Sequence, residues 1–457
     1  MDNEYVRIKA LNGKALGSDE FRKEFGIEYA YVVGGMYKAI TSAEMIAVLS
    51  QRGILAFLGS GGLRHEAVSQ EISSIREKIS DGVFGVNIIH TPKNPEAEEK
   101  LIDLMLDNEI RFIEAAAFIS VTPSLVKYKI KGLTRNEHGN VVSRNRIMVK
   151  ISRSEAAEVF MRPIPDSIIS ELLCRGAITA SEADLAAGIP LADAVTVETD
   201  SGGHTDGGVA YAVFPSVMYL RDRIMKEYNY RSKIYIGAAG GIGDPDAASA
   251  AFMMGADYIM TGSVNQCTAE AGTSDIVKDM LSIATVHDTD YAPSADMFEM
   301  NSRSQVLKRG TLYCVRAKKI YELYNRYDSL ESIDSKTRDM LEKRMFYDSL
   351  ENVFSESARY YPMSVIQRAE KEPKLKMFIV FKSYFHRSSK AALNGDEKDI
   401  SNFQINCGPA MGAFNSFVKG TRLENWRDRH ADEIAVLIME KAAEKMNEFF
   451  RERFIAG

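Results

Sequence analysis

The chain has 457 residues, 45% of them apolar, and a formal net charge of −6. That length suffices for a large core and a second region, and with no long basic run there is no footprint for nucleic acid. No apolar stretch nears the ~20 residues of a membrane span, the start "MDNEYVRIKALNGK" lacks the apolar heart of a signal peptide, and the four cysteines are scattered without a CxxC pair. The expectation is a cytoplasmic protein with reduced thiols, no disulfide scaffold and no metal site.

Up to about Ala239 the chain alternates short apolar runs with helical patterns, the rhythm of parallel βα units. "YVVGGM" predicts the first strand. "SAEMIAVLSQRG" predicts a helix capped by Ser42 and stopped at Gly53. "ILAFLGSGG" is the second strand and its turn, and a polar helix from about Arg64 leads to the third, "VFGVNII". "NPEAEEKLIDLMLDN" is a helix with Asn94 as cap and Pro95 in its first turn. "RFIEAAAF" is the fourth strand; an insertion at about 130–147 carries an exposed turn around His138, Gly139 and Asn140. "IMVKIS" is the fifth strand, "DAVTVETD" the sixth, "KIYIGAAGGIG" the seventh with its loop and "DYIMTGS" the eighth. Helices fall between them, one over about 213–228 and one capped by Asp244.

Eight strands in roughly 235 residues fit a (β/α)8 TIM barrel. A doubly wound sheet is the alternative, but "GGMYKAI" is not its glycine fingerprint. After Ser263 the βα rhythm stops, and the chain turns helix-rich, aromatic and charged. "MFIVFKSYF" reads as a helix or a buried strand, "NCGPAMGAF" as a glycine-bearing apolar loop, and 426–454 as a long amphipathic helix. The expected organisation is a lead-in segment at 1–29, a barrel at 30–265 and a mainly helical substrate or lid region at 266–457. The large apolar C-terminal helices make a homodimer the expected assembly.

In such a barrel the site forms at the C-terminal strand ends. Gly34, Gly35 and Met36 close the first strand, Gly61 lies in the turn after the second, and Asn87, Glu114 and Lys150 sit in the third, fourth and fifth. Glu198 ends the sixth, with Gly202, Gly203 and His204 beyond; Ala239, Gly240 and Gly241 follow the seventh, and Gly262 and Ser263 the eighth. Glycine at a strand end lets a ligand approach the backbone, and backbone N–H groups after strands seven and eight form the usual phosphate cradle. The set reads as a seat for a flat, phosphorylated cofactor; the plainer reading is eight ordinary turns. Lys150 is read as a contact to a flavin's edge or as a partner of Glu114 or Glu198, and Asn87 as a flavin-edge amide or a buried amide satisfied by backbone. His204, between "SGG" and "TDGG", is read as a proton donor or acceptor, with Asp206 placed to orient it; the plainer reading is a turn histidine.

"YVVGGM", "FGVN", "VKIS", "SGGH", "AAGGIG" and "MTGS", in this order, resemble the FMN-dependent barrel family of nitronate monooxygenases and flavin-dependent enoyl-acyl-carrier-protein reductases, over about residues 28–265. "GVNIIHTPKNPEAEEKLIDL", "RFIEAAAF", "VTVETDSGGHTDGG" and "INCGPAMGAFN" resemble, over nearly the whole chain, the trans-acting enoyl reductases of trans-acyltransferase polyketide synthases and their relatives in polyunsaturated fatty acid synthases. The resemblance implies FMN and NADPH as cofactors, an acyl carrier protein as partner, and reduction of a 2,3-enoyl thioester. It implies that Gly34, Gly35 and Met36 line the flavin, that Asn87 and Lys150 meet its ring edge, that Gly203 and His204 lie by the ring, and that Gly240, Gly241, Gly262 and Ser263 hold its phosphate. His204 and Lys150 are then the catalytic candidates, and Glu114, Cys407, Met411, Phe414 and Asn415 shape the acyl pocket. Nitronate oxidation and a non-catalytic FMN-binding assembly role are the alternatives. The acyltransferase fused in many relatives is not expected within this chain, which has no GxSxG motif.

Overall fold

The computed structural model describes residues 10–79, 82–92, 94–294, 298–300 and 302–454; the first nine residues of the expected lead-in lie outside them. Eight parallel strands close into a barrel: Tyr31–Val33, Leu55–Leu58, Gly85–Ile89, Phe112–Ala116, Arg146–Ile151, Ala194–Glu198, Tyr235–Ala239 and Tyr258–Thr261. Each pairs with its neighbour in chain order, and the eighth closes on the first with Met260 opposite Val32. This is the TIM barrel expected. Its helix starts follow the predicted caps: Ser42 accepts from the Met45 N–H, Asn94 from Ala97 and Asp244 from Ala247. The insertion is a hairpin of Leu133–Arg135 with Val141–Ser143.

Alternate residues of a barrel strand face inward, and here the inward set is stratified. Phe57, Phe112, Met148, Ala194, Tyr235 and Tyr258 form an apolar lower layer. The helix Asp19–Phe25 plugs it from below: Phe21 stacks on Tyr258 at 4.4 Å between ring centroids and Phe25 on Phe112 at 5.4 Å. Two residues further along the same strands the chain switches to Glu114, Lys150 and Thr196. Polar side chains therefore collect at the C-terminal ends.

The chain divides into two compact units: 1–200, 207–272 and 420–457 in one, 201–206 and 273–419 in the other. The expected boundary near residue 265 falls at 272, and the last helix corrects the expected organisation. The helix Ala431–Phe454 belongs with the barrel, not with the helical region. Its buried face (Ile434, Ile438, Met439 and Ala442) packs on the helix Pro245–Met253. The Leu11 and Gly13 N–H groups donate to Asn447 Oδ1 and Glu440 Oε2, both at 2.9 Å. Sequence amphipathicity marks such a helix but cannot name the surface it covers.

At the start of that helix His430 Nδ1 meets Glu270 Oε1, and the Ala431 N–H donates to Glu270 Oε2 at 3.2 Å. The Glu270 hydrogen bond, opposed by partial burial, holds the His430 pKa above its ordinary 6.5. A raised folded-state pKa stabilises below the unfolded value, and the gain is lost as pH rises through the folded one. The wild-type melting temperature should therefore fall relative to His430→Gln as pH climbs above 6.5. Parallel melting curves across that range would remove the linkage.

The second unit has its own core. The helices Tyr313–Arg326 and Pro373–Asn394 pack around Phe298, with Phe298 stacked on Phe378 at 5.5 Å and Tyr313 on Tyr384 at 6.0 Å. "MFIVFKSYF" is thus helical. The unit also holds a three-stranded antiparallel sheet in the order Thr289–Pro293, Arg303–Leu307, Gly203–His204, which the sequence reading missed. Among the described residues no helix is long and apolar enough to cross a membrane.

Candidate functional site

The barrel brings Gly34, Gly35, Met36, Gly61, Asn87, Glu114, Lys150, Ala239, Gly240, Gly241, Gly262 and Ser263 to one rim, at or just beyond the C-terminal strand ends. At its centre stands Glu114, fully buried. The Asn87 Nδ2 donates to Glu114 Oε2 at 2.6 Å, and the Gly35 N–H donates to the same oxygen at 3.1 Å. Glu114 Oε1 is buried with no hydrogen-bond partner among the described residues. Burial pushes the Glu114 carboxyl above its ordinary range, against the pull of Lys150 and the Asn87 hydrogen bond. Lys150 Nζ lies 3.3 Å from Glu198 Oε1. Burial alone would lower the Lys150 pKa, but Glu198 and Glu114 outweigh it, and the ammonium is held charged. The carboxylate pairing read for Lys150 is present, with Glu198 as the partner.

The strand-end glycines divide into two kinds. A Cβ on Gly35 would come 2.5 Å from Asn87 Cβ, and one on Gly34 3.2 Å from Glu114 Oε1. These two glycines make room for the protein's own polar side chains, where the sequence suggested room for a ligand. Gly61 likewise faces Ile89. A Cβ on Gly241 or Gly262 would meet nothing within 4 Å. Those two positions, after strands seven and eight, border open space, as a phosphate cradle requires. The buried but unpartnered Glu114 Oε1, the charged Lys150 and the two open glycines together fit a planar, phosphorylated cofactor.

Gly35→Ala is expected to push Asn87 off Glu114, at about 1–3 kcal/mol for overpacking. A melting temperature equal to wild type would show that the strand end absorbs the methyl group.

His204 belongs to the second unit. The Asp200 N–H donates to Gly208 O at 3.0 Å, so the chain leaves the barrel unit and re-enters it at one point. Between them Gly203 and His204 form the third strand of the second unit's sheet, with His204 opposite Ser304 and Gly203 opposite Gln305. His204 is exposed, and its Nε2 is hydrogen-bonded to the hydroxyl of Ser294. Ser294 itself is fully buried. A buried hydroxyl at one ring nitrogen fixes the orientation of the imidazole. Sequence reasoning missed Ser294. It follows Pro293 in "YAPSADMF", and no spacing links it to a histidine ninety residues earlier.

The loop segment of "NCGPAMGAF" packs beside that sheet. The Cys407 N–H donates to Gln305 O at 3.2 Å, and a Cβ on Gly408 would fall 2.8 Å from the Gly202 nitrogen. The rest is the helix Ala410–Phe417. A Cβ on its Gly412 would overlap the backbone of Thr285 and Val286, at 2.1 Å. Cys407, Met411 and Phe414 are fully buried in the unit's interior. Asn415 Nδ2 donates to the carbonyls of Leu281 and Ala284, both at 2.8 Å, and so ties off the end of the helix Asp275–Ser282. Cys407 and Gly408 thus pack beside the sheet that carries His204, and Met411, Phe414 and Asn415 pack within the second unit.

A family model described as nitronate monooxygenase matches residues 20–308. The chain belongs to the nitronate monooxygenase family. Within it, this family member is 41% identical to the enoyl reductase domain of MlnA from the macrolactin biosynthesis cluster of Bacillus amyloliquefaciens, over 96% of this chain and 99% of that one, with a TM-score of 0.93. The polyketide biosynthesis protein PksE of Bacillus subtilis is 50% identical over 96% of the chain. A polyunsaturated fatty acid synthase component from a Thraustochytrium species is 41% identical over 90%. The chain spans 57% of the length of PksE and 28% of that synthase component. FabK of Thermotoga maritima, at 18% identity and a TM-score of 0.55, shares the fold. Residues 327–403 match a second model, the inserted helical domain of acyl-carrier-protein S-malonyltransferase. The narrower family resemblance read from the sequence motifs therefore holds along the chain.

Proposed function

We propose that this chain is an FMN- and NADPH-dependent enoyl reductase acting on 2,3-enoyl thioesters carried by an acyl carrier protein of a polyketide or polyunsaturated fatty acid synthase. The observation that carries the reading is the likeness to the MlnA enoyl reductase domain along 99% of that domain. The barrel rim supplies its chemistry. Gly240, Gly241, Gly262 and Ser263 would hold the cofactor phosphate through backbone N–H groups, as oriented amides hold anions. Lys150 would keep a fixed positive charge at the ring edge, with Glu198 and Glu114 holding it ionised. Asn87 offers its amide there in one orientation, because a carboxylate only accepts and Glu114 therefore takes the Nδ2 side.

A bound flavin would supply the two-electron chemistry, by which a hydride from NADPH would reach the β-carbon of the enoyl thioester. The chain's own part is the proton. His204 donates it to the α-carbon, and the Ser294 hydroxyl at Nε2 fixes the ring for that transfer. The reaction balances with one hydride on Cβ, one proton on Cα and NADP+ released.

Oxidation of nitronates is the second reading, favoured by the description of the matching family model. The test is anaerobic mixing of the flavin-loaded protein with NADPH and then a crotonyl thioester. Bleaching by NADPH and recovery with saturated product by mass spectrometry support the reductase. Flavin that NADPH leaves unchanged, with turnover of a nitronate under oxygen, overturns it. A protein that takes up FMN and turns over neither is the non-catalytic assembly partner.

A further inference from the structure

The second unit presents a face that the chemistry of the rim does not use. The strand Arg303–Leu307, which carries Ser304 opposite His204, runs directly into the basic segment 308–319, "KRGTLYCVRAKK". That segment holds five cations and no acid. Two apolar side chains stand out of it: Leu312 is 52% exposed and Val315 68%. Beside it the turn after the helix Asp275–Ser282 exposes Ile283 at 59% and Val286 at 41%. The two loops are stitched together, the Lys308 N–H donating to Asp288 O at 2.8 Å and Arg309 Nη1 lying 3.2 Å from Asp288 Oδ2.

Acids from outside the segment neutralise part of its charge. Asp288 meets Arg309, Asp290 meets Lys318 and Glu322 meets Lys319. Lys308 has no ion pair among the described residues, and Arg316 donates to the neutral Ser401 Oγ at 3.1 Å. The face is therefore apolar at its centre and net cationic, on a chain whose overall charge is −6.

We propose that this face, centred on Lys308, Leu312 and Val315, docks the acyl carrier protein. The inference rests on the carrier-bound substrate proposed above and adds where the carrier binds. An acidic helical carrier matches an apolar centre rimmed by cations. Reach supports the same choice. A phosphopantetheine arm counts about thirteen bonds from phosphorus to sulfur, roughly the span of four extended residues. Lys308 lies four positions after Ser304, which stands opposite His204, about 13 Å of extended chain. A carrier seated on Lys308 and Leu312 thus stands one arm's length along the strand from the histidine.

The test is the double variant Lys308→Glu, Val315→Asp, both changes at exposed positions. Binding of a crotonyl-carrier protein is measured directly by calorimetry, and turnover is followed separately on that substrate and on crotonyl-CoA. The expected result is a carrier Kd weakened at least about tenfold, a raised KM for the carrier-bound substrate, unchanged kcat/KM for crotonyl-CoA and an unchanged melting temperature. Wild-type carrier binding should also weaken with added salt. An unchanged carrier Kd overturns the docking face even if the enzyme reduces both substrates. A wild type that reduces neither, while the variant still loses carrier binding, leaves the face standing and removes the reductase reading. Loss of a wild-type dimer in the variant, with carrier affinity intact, would assign the face to a second copy of the chain and overturn the proposal.

Discussion

Replacing His204 with alanine is expected to cut enoyl reduction by about 10²- to 10⁴-fold, the usual worth of a positioned acid, while leaving flavin binding as it was. The two halves of that expectation come from different parts of the chain. The residues proposed to hold the cofactor lie on the barrel strands, and Gly241 and Gly262 border their open space without help from residue 204. The imidazole sits on the short third strand of a separate sheet, fixed through Nε2 by a buried serine. Flavin absorbance and NADPH-driven bleaching should therefore survive in the variant, and only reoxidation by the thioester should fail. A Ser294→Ala variant should fall between, because the ring keeps its strand but loses its anchor. Full turnover in His204→Ala would take the histidine out of the mechanism.

Asp193→Ala should be the most damaging single change to stability away from the site. Asp193 precedes the sixth strand and is almost buried. Lys129 Nζ meets both its oxygens at 2.7 Å, with only 5% of the lysine side chain exposed. The Ile147 N–H donates to Oδ2 at 2.8 Å, and Arg146 Nη1 lies 3.4 Å from Oδ1. Removing the carboxylate leaves a buried ammonium and a backbone donor unpaired. Breaking one side of such a pair costs about 3–5 kcal/mol. Burial already pulls the Lys129 pKa down against the attraction of Asp193, so without that acid the lysine is driven to neutrality or the strand end opens. Asp193→Asn keeps an acceptor for Ile147 and should lose less. Urea unfolding of the three proteins checks the order, and an alanine variant as stable as wild type would show that water reaches Lys129.

The barrel was legible because most of its strands are short apolar runs closed by glycine or a polar residue, and the helix starts at Ser42, Asn94 and Asp244 carry their own caps. The elements that were not legible depend on partners far along the chain. "MFIVFKSYF" has the aromatic and β-branched content of a strand, yet Pro373 starts and Gly395 ends a single 22-residue helix around it. Thr289–Pro293 and Arg303–Leu307 are as long as most barrel strands, but threonine, aspartate and proline in the first and arginine, serine and glutamine in the second break the apolar run that marks a strand. Gly203 and His204 look like a turn until another segment pairs with them. The site shows the same limit. A missing Cβ can be read from sequence, but not whether a ligand or a neighbouring side chain fills the space. Gly35 and Gly408 turned out to serve the protein's own packing, and Gly241 and Gly262 to leave room.

The discontinuous course of the barrel unit has a consequence for how the chain is made. Its first described residues lie against its last helix, Gly13 on Glu440 and Leu11 on Asn447, with 273–419 intervening as a unit of its own. During synthesis the barrel strands are complete long before the helix Ala431–Phe454 leaves the ribosome. Until then the apolar side of the helix Pro245–Met253 stays uncovered, while the intervening unit emerges with nearly all of its core contiguous. Contacts spanning that much chain form slowly, and exposed apolar surface during the wait favours aggregation. The second unit should then gain protection from proteolysis before the barrel does, and shortening the chain ahead of Ala431 should harm the solubility of the barrel more than that of the unit inserted into it.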